Sequence, residues 1–361
     1  MSRLRAPSPI RAALLLVAVS LLAATACSRA EPAATEPAAP VAGGVAPEVR
    51  LGYFPNVTHA PAIIGVDQDL FTKELGDTKL TTQTFNAGGD AVNALLGGSL
   101  DITYIGSGPA INAFAKSEGQ VRLVAGATEG GAQLVVRPDI TSPAQLAGAT
   151  IATPQAGNTQ DIALKVWLSE NNLAGAVTVA NLDNPRTLDA FKSGEVQGGW
   201  LPEPWSSRLV LDAGASVLLD ESTLWPGGKF PTTVILVRAE FLQQYPDTVR
   251  AILRGHLAAI DLAASNPAEA KTIVNDGLRE LTGNALAGPV IDRAFENITL
   301  DPDPLAATFP GLAQDSVTAG ITDKPTDLAG LIDVGPLNTE LQAAGKPPVD
   351  AAGLDKPGGS S

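Results

Sequence analysis

The stretch FNAGGDAVNALLGGSLDITYIGSGPAINAF (85–114) contains the pattern that decides the fold. A helical run predicted at Asp90–Gly97 precedes an apolar strand predicted at Ile102–Ile105, and a glycine-rich turn leads into a helix predicted at Pro109–Lys116. Strands that alternate with helices of this length predict βαβ units and a mainly parallel sheet.

The same alternation extends outward from this stretch in both directions. Further strands are predicted at Val49–Tyr53, Leu80–Phe85, Val121–Ala127, Thr150–Ala152, Val177–Asn181, Gly198–Leu201 and Ser216–Leu219. Further helices are predicted at Pro61–Phe71, Thr159–Glu170, Pro185–Lys192 and Glu203–Asp212, and nearly all of 239–297 is predicted to be helical. Two more apolar runs, Ala132–Arg137 and Thr232–Arg238, have the character of strands. The economical interpretation is two α/β lobes joined by two extended crossings near these runs, with the later chain completing the first lobe.

These patterns predict the domain boundaries. The first part of lobe 1 spans 48–135, lobe 2 spans 136–234, and 235–350 completes lobe 1 and adds C-terminal helices. The last stretch, 351–361, is rich in Gly, Lys, Pro and Ser and is expected to be a disordered tail.

The N-terminus has the layout of a bacterial export signal. Three arginines precede the short apolar run Leu14–Ala24, and small residues lead directly into the chain's single cysteine, Cys27. This pattern predicts a lipoprotein signal peptide over 1–26, which is too short in its apolar part to span a membrane. The mature chain would begin at a lipidated Cys27, followed by a flexible Ala/Pro-rich tether over 27–47.

Composition limits the classes of function. The 361 residues are 45% hydrophobic and 4% aromatic, which suits a core of aliphatic side chains. With one cysteine, the chain cannot form an internal disulfide. The net charge of −14 argues against nucleic acid as a partner, but it allows a small anion at a site shaped by local donors.

Two loops of lobe 1 follow predicted strands at the edge where open α/β sheets bind ligands. In the first loop, Asn56, Thr58 and His59 offer hydrogen-bond donors, although capping of the next helix would explain them equally well. In the second, the glycines around Ser107 and Gly108 allow close approach of the backbone, and the helix that begins there favours an anion.

A third loop opens the first helix of lobe 2. Gln155, Asn158, Thr159 and Gln160 are its neutral polar candidates for ligand binding. Asn158 with Asp161 three residues later also resembles a capping box, so the polar residues could serve the helix alone.

The fourth loop, after the strand Gly198–Leu201, carries two indoles and a carboxylate. Trp200 is the candidate apolar wall for a ligand, and Glu203 is a candidate acceptor for a cationic group, whereas Trp205 is more typical of a core residue. Arg186 and Lys229 are candidate cations of the cleft, although a solvent-exposed position is the commoner fate of such side chains.

The sequence contains few residues that could carry out catalysis. The chain has two histidines and no G-x-S-x-G, Walker A or H-E-x-x-H motif, so no metal or cofactor is expected. Ser107 with His59 is the one nucleophile and base pair that could be nominated, which leaves a surface-tethered hydrolase as a remote alternative.

Six stretches carry a resemblance to a known family: LGYFPNVTHAP (51–61), 85–114 as quoted above, ATPQAGNTQDIAL (152–164), GGWLPEPW (198–205), LWPGGKFPTT (224–233) and DLAGLIDVGPLN (327–338). The chain resembles the aliphatic sulfonate, taurine and nitrate type of substrate-binding proteins of ABC importers, over about residues 48–350. The resemblance implies a type II periplasmic-binding-protein fold with two lobes, two hinge crossings and a ligand cleft between the lobes.

The resemblance also implies a function. The protein would capture a small anionic solute outside the cytoplasm, as a lipid-anchored monomer, and deliver it to a membrane permease served by a separate ATPase subunit, without being an enzyme. An aliphatic sulfonate or taurine is the first expectation for the ligand. Nitrate or bicarbonate and a pyrimidine precursor of thiamine are the alternatives within the family.

Overall fold

The structure, a computed structural model, describes residues 44–356. The predicted signal peptide, Cys27 and most of the predicted tether lie outside the described residues. Within 44–356, no helix is long and apolar enough to cross a membrane.

The first part of lobe 1 contains four strands and four helices. In chain order they are β1 (Glu48–Tyr53), α1 (Ala60–Asp67), α2 (Leu70–Leu75), β2 (Lys79–Thr84), α3 (Gly88–Leu96), β3 (Ile102–Ile105), α4 (Ser107–Lys116) and β4 (Val121–Gly130). The single helix predicted over 61–71 is thus two helices, because Asp69 adopts a left-handed conformation (φ 55°) that ends one helix before the next begins.

Lobe 2 follows with five strands and three helices. They are β5 (Ala132–Val136), β6 (Thr150–Thr153), α5 (Thr159–Glu170), β7 (Thr178–Asn181), α6 (Asn184–Ser193), β8 (Gly198–Pro202), α7 (Trp205–Ala213) and β9 (Ser216–Asp220).

The chain then returns to lobe 1. The returning elements are β10 (Pro231–Arg238), α8 (Ala239–Gln244), α9 (Pro246–Ser265), α10 (Pro267–Thr282), α11 (Gly288–Glu296), β11 (Ile298–Thr299), α12 (Phe309–Thr318) and α13 (Gly335–Ala343).

Each lobe has its own sheet, and both sheets are mixed. Among the described residues, the lobe 1 sheet has the order β11-β4-β10-β3-β1-β2 and the lobe 2 sheet has the order β7-β6-β8-β5-β9. Strands β1, β2 and β3 are parallel, as are β6, β7 and β8. However, β10 and β5 run antiparallel to their neighbours. The prediction of mainly parallel sheets is therefore only partly right, because the strands that arrive from the other lobe enter in the opposite direction.

Two adjacent crossings connect the lobes. The first lies at Gly130 and Gly131, whose φ angles of 72° and 74° are typical of glycine, and the second lies just before β10. The crossings are paired, since the Gly130 N–H donates to the Phe230 carbonyl (3.1 Å). The chain therefore passes from one sheet to the other a few residues before the predicted domain boundaries, which were 135/136 and 234/235.

Apolar side chains on both faces of each sheet form the core. In lobe 2, Leu134 and Trp200 pack on one face, whereas their neighbours Val135 and Leu201 pack on the other. This alternation is the ordinary period of two in a strand. The alternation therefore decides which side chains of β8 face the core of lobe 2 on each side of the sheet.

Both ends of the described region are held by the fold. The Ala46 N–H donates to Thr248 Oγ1 (2.8 Å), so the end of the stretch predicted as tether contacts lobe 1. At the other end, Leu354 packs on an apolar cluster and its carbonyl accepts from the Gly330 N–H (2.9 Å). The prediction that disorder begins at 351 is therefore wrong for residues 351–356; residues 357–361 lie outside the described residues.

Candidate functional site

A small cavity of about 40 Å³ lies between the lobes, at the carboxyl ends of the parallel strands. Loops after β1, β2 and β3 of lobe 1 and after β6 and β7 of lobe 2 contribute to its wall, together with the last residue of β8. Its lining residues are Phe54, Asn56, Thr58, His59, Asn86, Ala87, Gly88, Gly106, Pro109, Pro154, Asn158, Thr159, Gln160, Asn184, Pro202, Thr232 and Thr233. We call it the head cavity.

Hydrogen bonds between the lobes close the walls of the head cavity. Gly108 N–H donates to Thr159 Oγ1 (3.2 Å), and Gly89 N–H donates to Gln155 Oε1 (2.9 Å). On the opposite side, Trp205 Nε1 donates to Asn56 Oδ1 (2.8 Å). The structure is therefore that of the closed arrangement of the two lobes.

The close approach depends on glycines in the loop after β3. A Cβ atom on Gly106 would lie 2.7 Å from Thr159 Oγ1, and one on Gly108 would lie 3.1 Å from the Thr159 backbone nitrogen. Both distances are shorter than ordinary contacts. The Gly-Ser-Gly-Pro turn thus lets the start of α4 meet the start of α5.

Several helix N-termini surround the head cavity. Residues at the starts of α3, α5 and α6 line it, as does His59 immediately before α1 and Gly106 immediately before α4. The first backbone N–H groups of a helix have no partner within the helix, and the helix dipole makes this end attractive to negative charge. The Gly89 and Gly108 N–H groups already donate to Gln155 and Thr159, and the dipoles and other first-turn N–H groups of these five ends favour a bound anion.

The lining of the head cavity is neutral. Among the described residues that surround it there is no Asp, Glu, Lys or Arg. An oxyanion could accept hydrogen bonds from amide, hydroxyl and backbone groups here, whereas a ligand cation would meet no carboxylate. The arrangement also offers no set of metal ligands, since the described residues contain no group of three or more His, Cys, Asp or Glu side chains placed to hold a metal ion.

His59 is a neutral donor in this lining. Its side chain is buried, and burial lowers the pKa of its imidazole to about 3. The ring stacks on Phe54 at 4.4 Å, and Nδ1 accepts from the Phe54 backbone N–H (3.3 Å). A neutral ring that accepts at Nδ1 carries its proton on Nε2, so His59 can donate one hydrogen bond to a ligand.

The affinity for a permanently ionised sulfonate is expected to change less than about twofold between pH 5 and pH 7, because His59 stays neutral throughout. An imidazole with an ordinary pKa near 6.5 would gain charge over this range and strengthen anion binding as the pH falls. Calorimetric titration at several pH values measures this. A tenfold gain on acidification would show that His59 becomes protonated in the complex.

Six of the eleven predicted ligand-binding residues line the head cavity: Asn56, Thr58, His59, Asn158, Thr159 and Gln160. Gly108 and Gln155 are not in its lining and instead join the lobes through hydrogen bonds. Ser107 is fully buried next to the cavity, and its Oγ makes no hydrogen bond within residues 44–356. These placements leave the direct ligand contacts of all nine as predictions.

The predicted role of Trp200 is wrong. Trp200 is fully buried in the core of lobe 2, where its ring lies edge-on to Trp167 and its Nε1 donates to Glu221 Oε2 (2.6 Å). The side chain cannot reach the cleft, because its position in β8 directs it to the face that packs on α5. Trp205, which the sequence suggested as the core residue, instead borders a cavity next to the head cavity.

The predicted role of Glu203 is also wrong. Glu203 is fully buried, and its Oε1 accepts from Arg293 Nη1 (3.1 Å) and Asn297 Nδ2 (2.7 Å) of lobe 1. Arg293 also donates to Ser207 Oγ (2.7 Å) and Gln133 Oε1 (2.6 Å). The carboxylate is therefore occupied in an ion pair that joins the lobes and is not available to a ligand cation.

The capping box expected at Asn158 does not form. Asn158 makes no side-chain cap at the start of α5, and Asp161 is fully buried instead. Asp161 accepts from Thr153 Oγ1 (2.9 Å), the Gly157 N–H (2.8 Å) and Lys165 Nζ (2.7 Å). Because the buried Asp161 carboxylate binds this loop, the Asn158 side chain is not needed as a cap and can line the head cavity.

The candidate cations lie outside the head cavity. Arg186 is exposed, and Lys229 pairs with Glu129 (3.0 Å) across the two crossings. The nominated hydrolase pair does not form either: the described residues give Ser107 Oγ no partner, and His59 Nδ1 is taken by a backbone N–H.

Four polar residues of the lining were not predicted from the sequence: Asn86, Asn184, Thr232 and Thr233. Asn86 follows β2 and Asn184 begins α6 after β7, so the carboxyl-end rule used for the other loops also applied to them. The two threonines belong to β10, which was assigned to a crossing. No local signal in the sequence distinguishes them from other strand threonines.

Comparison with known proteins gives one family. The model of the NMT1-like family matches residues 43–275. The taurine-binding periplasmic protein of Escherichia coli (strain K12) is 29% identical over 211 residues, which are 57% of this chain and 64% of that protein. The matched region therefore spans less than two thirds of that relative.

Solved structures share the fold. The alkanesulfonate-binding protein SsuA from Xanthomonas axonopodis pv. citri, bound to MOPS, has a TM-score of 0.68 at 20% identity, over 81% of this chain and 99% of that one. The periplasmic nitrate-binding protein NrtA from Synechocystis PCC 6803 has a TM-score of 0.69 at 16% identity, over 83% of this chain and 90% of that one. The two-lobed periplasmic-binding-protein fold expected from the sequence is thus confirmed.

Proposed function

The chain belongs to the NMT1-like family, and from this premise we propose that it is the extracytoplasmic solute-binding component of an ABC importer, which captures a small oxyanion and delivers it to a membrane permease. It acts as a binding protein and not as an enzyme, in keeping with its taurine-, alkanesulfonate- and nitrate-binding relatives. In the same proposal it is a monomer, and a lipidated Cys27 anchors it to the membrane.

The observation that carries the proposal is the neutral head cavity with five helix starts around it. Backbone N–H groups at helix starts bind oxyanions without a buried cation, and a sulfonate presents three oxygens that can accept them. An aliphatic sulfonate is the first candidate. The sulfonate group of taurine fits the same cavity, and its ammonium group would lie outside it, because the described lining residues include no carboxylate.

The small volume of the head cavity supports a second candidate ligand. About 40 Å³ suits nitrate or bicarbonate, each with four non-hydrogen atoms, as well as it suits a sulfonate head. A thiamine-precursor pyrimidine fits less well, since the aromatic rings in the described lining are those of Phe54 and His59, which already stack on each other.

A thermal-shift series with ethanesulfonate, taurine, nitrate, bicarbonate and a hydroxymethylpyrimidine tests the proposal. A ligand present at about 100 times its Kd stabilises the native state by about 2.7 kcal/mol, which raises Tm by several degrees. We expect the largest shift with ethanesulfonate. A shift with nitrate or bicarbonate alone would reassign the oxyanion, a shift with the pyrimidine alone would contradict oxyanion binding, and no shift with any of them would contradict the function.

A further inference from the structure

The head cavity has room for little more than one oxyanion group. A buried water needs about 10–15 Å³ of such volume, so about 40 Å³ corresponds to roughly three waters. A sulfonate group alone has four non-hydrogen atoms. The organic part of a sulfonate ligand must therefore extend out of the head cavity.

A larger cavity continues from the head cavity. It has a volume of about 400 Å³ and shares Asn56, Asn86 and Asn184 with the head cavity, so these three side chains form a neck between the two spaces. Beyond the neck lie Trp205, Arg208 and Asp212 of α7, and the only cation among the described lining residues of this space is Arg208. We call this space the vestibule.

The opposite direction is unfavourable for an anionic ligand. A third cavity, of about 240 Å³, is lined by Glu170, Glu221 and Asp315 and shares Thr159 with the head cavity. The hydrogen bond from Gly108 to Thr159 separates these two spaces. In this third cavity the carboxylates of Glu170 and Asp315 would repel a second negative group and attract a cationic one, whereas burial raises the pKa of Glu221 to about 8.

The vestibule presents a positioned guanidinium group. Arg208 lies over the Trp205 ring, with Cζ 4.8 Å from the ring centroid, and the Trp205 indole is itself held by Asn56. Arg208 Nε contacts Asp212 Oδ2 at 3.3 Å, in a pair of which about a third of each side chain is exposed. Such a pair contributes little free energy. Arg208 Nη1 and Nη2 make no hydrogen bond within residues 44–356 and can bind a carboxylate through two parallel bonds.

We propose that the ligand of this protein is a bifunctional anion, a short sulfonate with a carboxylate at its other end, whose sulfonate occupies the head cavity while its carboxylate binds Arg208 in the vestibule. The inference rests on the proposed function and narrows its ligand class. The neck asparagines contact the carbon chain, and the Trp205 ring covers its apolar surface.

Calorimetric titration with matched ligands tests this inference. The probes are methanesulfonate, 3-sulfopropanoate and the nearly isosteric 3-methylbutane-1-sulfonate, which lacks the carboxylate. We expect 3-sulfopropanoate to bind at least tenfold more tightly than 3-methylbutane-1-sulfonate, as a charged hydrogen-bonded contact implies. R208Q should remove that advantage and leave methanesulfonate binding within about twofold.

R137Q is the matched control, because Arg137 is an exposed arginine of lobe 2 whose Nε also contacts an aspartate (Asp139, 3.2 Å) away from all three cavities. R137Q should change the affinity for neither methanesulfonate nor 3-sulfopropanoate.

Equal binding of the two larger sulfonates would overturn the inference while sparing the proposed function, and so would an equal loss of all three ligands in R208Q. Tighter binding of taurine than of 3-sulfopropanoate would overturn it in favour of the carboxylate-lined cavity. If 3-sulfopropanoate, methanesulfonate, nitrate and bicarbonate all fail to bind, both the inference and the proposed function are contradicted.

Discussion

Replacing Gly106 by valine is expected to lower ligand affinity by about a hundredfold or more while leaving both lobes folded. The added Cβ would lie 2.7 Å from Thr159 Oγ1, so the start of α4 could no longer approach the start of α5. The lobe 2 donors would then be held away from an anion bound to lobe 1. Losing two charge-assisted hydrogen bonds, at about 1.5–3 kcal/mol each, corresponds to this change in affinity. Calorimetric titration measures it.

The fold should survive this substitution because Gly106 has an ordinary backbone conformation (φ −69°), and its other near contacts are at 3.5 Å or more. Gly311→Val is the matched control, since a Cβ atom on Gly311 meets nothing within 4 Å. It should leave the affinity unchanged. Unaltered binding by Gly106→Val would show that this closed contact is not part of the liganded state.

Replacing Arg293 by methionine is expected to lower the free energy of unfolding by about 3–5 kcal/mol. The substitution leaves the Glu203 carboxylate buried without its cation, and an uncompensated buried charge is costly. Ser207 and Gln133 also lose a donor. Denaturant unfolding of the ligand-free protein measures the effect.

Two further variants separate the cost of the stranded buried charge from the cost of the other lost contacts. Arg279→Met removes a cation whose pair with Asp276 is about half exposed, so it should cost less than about 1 kcal/mol. Adding Glu203→Gln to Arg293→Met removes the stranded charge and should recover part of the stability. If Arg293→Met costs no more than Arg279→Met, the pair with Glu203 does not stabilise the fold.

Most of the secondary structure could be predicted from local pattern. Strand β3 and helix α5 have the predicted bounds, and most other elements begin and end within about two residues of them. Hydrophobic periodicity is a local property, and the flanking glycines and prolines mark the ends. The antiparallel entry of β5 and β10 could not be predicted in this way, because the direction of a strand depends on the lobe from which the chain arrives.

The candidate site divides in the same manner. The rule that ligands lie at the carboxyl ends of parallel strands led to Asn56, His59 and Asn158, all of which line the head cavity. The same rule gave a wrong prediction for Trp200 in β8, because the side chains of a strand alternate between its two faces and Trp200 faces the core. For Glu203 the missing information was Arg293, which lies 90 residues further along the chain.

The sequence by itself determined the alternation of strands and helices, the two lobes and the polar loops at the ends of the strands, since each follows from residues that are near neighbours in the chain. Only the tertiary structure decided which of those polar groups meet. Gly108 and Thr159 are 51 residues apart and belong to different lobes, yet one hydrogen bond joins them. The glycines that leave room for this contact are visible in the sequence, but the partner that approaches them depends on how the two lobes close on each other, and no local pattern encodes that.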